Sequence, residues 1–228
     1  IKARIGEIAA GAYHSVALAL SGHIYVWGRG KELGLGVFVD NGDKDIPQLV
    51  KALKRFRIRN ISCGLNHTLA QTHDGNLYAW GEGKYGQLGL GDSRDRYVPS
   101  LIRVTREESN RVERFADVSC GGRHCIAVSR SGAIYTWGWN AHGQLGLGHK
   151  ENIETPSQVI SLEKERITQV AAGWRHSIVL SRNTGHLYAW GVCASVNHRM
   201  RRKQKLSKND AFDILTKWEG KWKNSAVF

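Results

Sequence analysis

One pattern recurs four times in this 228-residue chain: a Gly-x-x-His cluster with a Trp-Gly pair 13 or 14 residues after the histidine. The copies are GAYHS (11–15) with Trp27-Gly28, GLNHT (64–68) with Trp80-Gly81, GGRHC (121–125) with Trp137-Gly138, and GWRHS (173–177) with Trp190-Gly191. The Trp-Gly pairs lie 53, 57 and 53 residues apart. A fixed period of this size means one supersecondary unit stacked on copies of itself, which leaves few architectures open. It also aligns the chain with itself. Slots constant across copies belong to the scaffold, and slots that vary are where function can differ.

Within each unit a short apolar run follows the histidine, then a turn signal: Ser21-Gly22, Asp74-Gly75, Ser131-Gly132 or Asn183-Thr184-Gly185. A second run then leads into Trp-Gly, as HIYVWG, NLYAWG, AIYTWG and HLYAWG. Large aromatics on alternate residues have strand periodicity, and two strands joined by such a turn make a hairpin. A Gly-rich turn comes next, KYGQLGLGD (84–92) and AHGQLGLGH (141–149). All three prolines, Pro47, Pro99 and Pro156, share one slot. It is read as the entry to a third strand, since proline suits a first or edge position. A fourth strand (59–62, 117–119, 168–171) leads to the next Gly-x-x-His. Four short antiparallel strands per unit predict an all-β chain of propeller blades. No helical 3.6-residue period is visible before residue 192. The units run at about 8–60, 61–117, 118–169 and 170–191, the last incomplete, and residues 192–228 form a basic tail outside the repeat.

The blocks YxWGxxxxGQLGLG and GxxHS/T resemble the regulator of chromosome condensation family over residues 1–191. The resemblance implies a β-propeller, normally of seven blades, of which this chain supplies three and part of a fourth. It implies a protein-binding module. In the founding members that means nucleotide exchange on a small nuclear GTPase and docking on chromatin. In ubiquitin ligases of the HECT type it means a partner- or substrate-recruiting region without exchange. The GWRHS copy is also similar to motifs of UV-B-absorbing members, but the other copies carry Ala12, Leu65 and Gly122 in that tryptophan slot. A tryptophan cluster across a dimer is therefore not expected.

The net charge is +13. The tail holds +6 of it in 37 residues, and Lys51–Arg59 carries five bases and no acid. This balance favours acidic partners, whether chromatin or an acidic protein surface. No apolar run approaches the roughly 20 residues needed to span a bilayer as a helix. Cys63 and Cys120 fill the slot of Ala10 and Ala172, and Cys125 fills that of Ser15, Thr68 and Ser177. They are read as small packed side chains, in a reducing, intracellular setting, cytoplasmic or nuclear.

No catalytic residue, cofactor or metal is expected. His14, His67, His124 and His176 are one residue in four blades, each bonding to a neighbouring blade or turn. No carboxylate recurs beside the adjoining Ser/Thr, so the triad logic fails. Gly81-Glu-Gly83-Lys-Tyr-Gly86 matches GxGxxG but lacks the helix a dinucleotide site needs, and the Gly83 slot becomes Asn140 in the next copy. Trp27, Trp80, Trp137 and Trp190 share a core slot, whereas Trp139 and Trp174 do not repeat. The residues before each histidine vary: Tyr13, Asn66, Arg123 and Arg175, preceded in the fourth copy by Trp174. A rigid frame with variable loop contacts is a binding platform, and Trp, Tyr and Arg are enriched in interface hot spots. The partner-binding candidates are therefore Tyr13, Asn66, Arg123, Trp139, Trp174 and Arg175. In the tail, Arg199, Arg201, Arg202, Lys203 and Lys205 form a candidate nuclear-localisation or acidic-partner patch. Ile214, Leu215, Trp218 and Trp222 fall at helical spacing behind it.

Overall fold

A computed structural model describes residues 2–36, 42–105 and 112–192. The tail patch at 199–205 and the helical spacing at 214–222 lie outside them. The described chain forms four antiparallel sheets, with no α-helix and three single 3-10 turns. The first contains β1 (Ile5–Ala10), β2 (His14–Ala19), β3 (Ile24–Gly28) and β4 (Lys44–Leu49), paired in that order. The second contains β5 (Ile58–Cys63), β6 (His67–Thr72), β7 (Leu77–Gly81) and β8 (Arg96–Ile102). The third contains β9 (Phe115–Cys120), β10 (His124–Ser129), β11 (Ile134–Gly138) and β12 (Ile153–Gln158). The fourth has three strands, β13 (Ile167–Ala172), β14 (His176–Ser181) and β15 (Leu187–Gly191). These are propeller blades, three complete and one with three of its four strands.

The strand leading into each Gly-x-x-His pairs forward with the strand after it, as in Cys63↔Thr68 and Cys120↔Cys125. The sheets are thus phased one strand earlier than the sequence units. Only three residues (64–66) separate β5 from β6, whereas eight (50–57) separate β4 from β5. The short connection closes the hairpin. The basic run 51–59 sits mostly in that longer connection, as a 3-10 turn and loop rather than a strand edge.

The prolines lie inside the outermost strand of each blade, not at its entry. Tyr78 opposes Leu101 and Ala79 opposes Ser100, but Gly81 opposes Arg96, so a bulge in β8 contains Pro99. The same shift brackets Pro47 and Pro156. A residue without an N–H fits a bulged edge strand, where the ladder is already interrupted.

Blades join through the repeated motif itself. Trp80 Nε1 donates to Glu32 O at 3.0 Å, Trp137 Nε1 to Gln87 O at 3.0 Å, and Trp190 Nε1 to Gln144 O at 2.8 Å. Each tryptophan thus closes on the Gly-rich turn of the preceding blade, whose leucines Leu33, Leu88 and Leu145 are fully buried. Trp80, Trp137 and Trp190 are core residues, but Trp27 is only partly buried, because no described blade packs on that side of the first sheet. In the opposite sense, His14 Nε2 hydrogen-bonds Thr68 Oγ1 at 2.8 Å, His67 Nε2 meets Cys125 Sγ at 3.2 Å, and His124 Nε2 bonds Ser177 Oγ at 3.0 Å. Each link spans one seam.

The first strands of the blades, β1, β5, β9 and β13, line the inner side and are stitched there too. Asn60 Nδ2 donates to Asp117 Oδ1 at 3.2 Å, Cys120 N to Ser62 Oγ at 2.9 Å, and Ala172 N to Ser119 Oγ at 3.0 Å.

Candidate functional site

The ladder register brings two variable slots together on the turn end of every blade. His14 opposes Gly28 and His67 opposes Gly81. The residue before the histidine therefore meets the residue after the Trp-Gly. The backbone fixes this contact: Arg29 N donates to Tyr13 O at 2.7 Å, Glu82 N to Asn66 O at 2.7 Å, Trp139 N to Arg123 O at 2.9 Å, and Val192 N to Arg175 O at 2.8 Å. Gly81 makes the approach possible, since at φ 102° a Cβ there would run into Asn66 O.

The side chains on this frame differ blade by blade. In the first, Arg29 lies 4.4 Å over the Tyr13 ring, and Tyr13 is exposed. In the second, Asn66 Nδ2 donates to Glu82 Oε2 at 3.2 Å. In the third and fourth, four of the predicted residues converge. Arg123, Trp139, Trp174 and Arg175 line one cleft of about 210 Å³ together with Leu65 and Gly122. The Arg175 guanidinium lies 5.6 Å from the Trp139 ring centroid. Tyr13 and Asn66 stand on the same face but do not line this cleft.

Tyr85 and His142 belong to the site and were not singled out from the sequence. Arg123 stacks 4.9 Å from the Tyr85 ring and donates to its hydroxyl at 3.3 Å. Tyr85 approaches Trp139 at 6.1 Å between centroids, and His142 meets that indole edge-on at 5.1 Å. Both occupy the slot before GQLG, which varies between copies as the chosen slots do. Burial, with the charges of Arg175 and Lys150 behind it, pushes the His142 pKa down.

The cleft is cationic and aromatic. Trp174 is 58 % exposed, enough to be a contact surface rather than core. Among the described residues, neither Arg123 nor Arg175 has a carboxylate in ion-pair range. Arginine over an aromatic face contributes about 0.5–1 kcal/mol when exposed, which orients the guanidinium and, apart from the Arg123 bond to Tyr85, leaves N–H groups for an outside acceptor.

The four histidines form no common site: His14, His67 and His124 each serve their own seam, and His176 is in the last described blade, only partly buried. Burial, reinforced by the neighbouring His67 charge, lowers His14 to about 4 and His124 to about 3. Unfolded, these imidazoles titrate near 6.5. Below that pH the unfolded chain takes up protons the folded chain refuses, so stability is full above about 6.5 and is lost toward 4 and 3. Glu7 and Asp117, whose carboxyls burial pushes up, oppose the trend. The histidines set the sign. Thermal melting should fall by several degrees between pH 7.5 and pH 4.5, with a weaker slope in His124→Gln. A melting point that rises over that interval would contradict the assignment.

The GxGxxG stretch is a closed turn. Gly83 N donates to Asp95 Oδ1 at 2.9 Å, and Asn140 N, in the same slot, donates to Asn152 Oδ1 at 3.0 Å. The N–H that would face a phosphate is thus already used by the blade. No helix in the described residues is long and apolar enough to cross a membrane.

Stacked four-stranded blades with a variable, aromatic and cationic turn face define a propeller-type repeat module. The RCC1-like domain model matches residues 1–213, and the chain belongs to that family. It is 45 % identical over 190 residues to the ultraviolet-B receptor UVR8 of Arabidopsis thaliana, covering 82 % of this chain and 41 % of the receptor. It is 33 % identical over 189 residues to the probable E3 ubiquitin-protein ligase HERC4 of Mus musculus, covering 83 % of this chain and 17 % of the ligase. Among solved structures, Prp20p of Saccharomyces cerevisiae, described with its binding to Gsp1p and histones, superposes with a TM-score of 0.67 at 22 % identity. That match covers 88 % of this chain and 47 % of Prp20p. The chain therefore spans less than half the length of each.

Proposed function

We propose that this chain is a protein-binding module that captures an acidic partner surface on the turn face, with Arg123, Arg175, Trp174 and Trp139 as the anchors. One observation carries the reading: two arginines are held on aromatic rings without a carboxylate of their own among the described residues. The chain's +13 charge favours the same class of partner. The module acts by recruitment, as a repeat region within a larger assembly. A small GTPase as the partner, with accelerated nucleotide release, is the narrower form of the same reading. Binding to a protein such as Gsp1p, attributed to Prp20p, supports that form by likeness of fold alone.

The test combines two measurements. Partners captured on immobilised chain should be lost at least tenfold when Arg123, Arg175 and Trp174 are replaced by alanine, as expected of hot spots contributing about 2 kcal/mol each. Capture should also weaken with salt. Equal capture by the triple variant would sink the platform. Fluorescent-nucleotide release from a panel of small GTPases then separates the two forms, since recruitment alone leaves the release rate unchanged.

A further inference from the structure

The seams repeat, so each can be compared with its neighbours. At the first seam His14 Nε2 meets the Thr68 hydroxyl, and the residue paired across the strand from Thr68 is Cys63. At the third, His124 Nε2 meets the Ser177 hydroxyl, paired across from Ala172. At the second seam both slots hold thiols. His67 Nε2 lies 3.2 Å from Cys125 Sγ, and Cys125 pairs directly with Cys120, their sulfurs 3.9 Å apart. The three donor atoms all lie within 4.8 Å of one another, and all three residues are buried.

We propose that this seam is a binding site for a thiophilic closed-shell cation, zinc(II) or copper(I), ligated by His67 Nε2 and the thiolates of Cys120 and Cys125. Two sulfurs bonded at about 2.3 Å stand roughly 3.8 Å apart around the tetrahedral ion that zinc prefers and roughly 4.0 Å apart in a trigonal plane. The thiols already stand at that spacing. The imidazole nitrogen, 3.2 Å from Cys125 Sγ, needs to draw back by only about 0.3–0.5 Å to reach the nitrogen–sulfur spacing of such a site.

Two soft sulfurs and an imidazole exclude magnesium and calcium, which take oxygen donors, and select zinc and copper(I). Binding releases two protons, one from each thiol. In the metal-free form Cys125 Sγ donates to Gln87 O and Cys120 Sγ to Ser62 O, each at 3.3 Å. After deprotonation Gln87 O keeps its bond from Trp137 Nε1. With zinc the two thiolates neutralise the ion, which suits a dry seam. Because the ligands are buried, the ion enters as the blades close and its binding energy adds to folding.

The experiment uses the full chain, refolded under reductant with zinc(II), or anaerobically with copper(I), then desalted. Metal content is read by mass spectrometry and melting by calorimetry. The control is Cys120→Ala with Cys125→Ser, which gives this seam the residues that Ala172 and Ser177 already provide at the next one. Retention of one zinc or copper ion per chain is expected, with a higher melting temperature, and an at least tenfold loss of retention in the double variant. Cobalt(II) in place of zinc should show a thiolate-to-metal charge-transfer band that the variant lacks. Equal metal in wild type and variant overturns the proposal, as does no metal in either arm. So does a chain two daltons lighter that holds no ion, since the thiols would then be a disulfide pair.

Discussion

Trp137→Ala is expected to destabilise the chain by about 3–5 kcal/mol, the range for removing a large buried aromatic. The indole is fully buried and shares a core with Leu69, Leu77 and Leu88 of the second blade and Phe115 and Tyr135 of its own. Its loss opens a cavity at a seam and removes the donor that Gln87 O receives at 3.0 Å. Gly89 packs on the same ring: at φ 68° its Cα sits so close that a Cβ would lie 2.9 Å from Nε1. Gly89, against the ring, has no side chain with which to fill the hole. Since a domain's whole stability is about 5–15 kcal/mol, the variant should lose a large share of its urea midpoint, read by far-ultraviolet circular dichroism. Trp27→Ala, at the half-open position, is the internal comparison and should cost clearly less. Equal losses at the two sites would mean that seam packing is not what makes this slot costly.

Gly121→Ala should be nearly as damaging despite adding a single methyl group. The glycine carries the imidazole of His124 flat against its Cα, and a Cβ would overlap ring atoms Cε1 and Nδ1 and come within 2.5 Å of Gly173 O in the next blade. Backbone on one side and a buried ring on the other leave no room to yield. Overpacking of this kind costs about 1–3 kcal/mol, and displacing the ring also strains its 3.0 Å bond to Ser177. Gly173→Ala provides the contrast. The nearest atoms to its added Cβ all belong to the His176 ring, which is only partly buried and can swing away. The expected order is a large loss at Gly121 and a small one at Gly173, read from thermal midpoints. Combining Gly121→Ala with His124→Ala should recover part of the loss, a coupling of about 1 kcal/mol. Strict additivity would show that glycine and histidine do not act as one socket.

These two predictions rest on slots that were legible in the sequence. Gly-x-x-His and Trp-Gly recur because each seam needs the same socket and the same indole. Most of the strands could be read directly: side chains alternate, and turns such as Asp74-Gly75 place a glycine where φ is 84°. The phase of the sheets could not. Period gives spacing, but whether Ile58–Cys63 pairs backward or forward depends on which connection is shorter. The place of proline was hidden for a related reason, because a bulge in the outer strand leaves no mark on the apolar pattern. For the site, varying slots pointed to Arg123, Trp139, Trp174 and Arg175, which the register does bring together. Tyr85 and His142 were missed because they precede a constant GQLG block, and the first blade, two residues shorter in that turn, has no counterpart with which to show the variation.

The bonds that reach back from each tryptophan and forward from each histidine have a consequence for how such a chain can change length. Trp137 needs only the turn before it, and His124 only the hydroxyl after it. A duplicated copy of about fifty residues would thus arrive with its own donors and find the matching acceptors already in place on either side. Deleting a whole copy would likewise leave its former neighbours compatible. The slots that would diverge freely afterwards are the two beside each turn, so every added copy brings a fresh pair of contact residues without disturbing the joints.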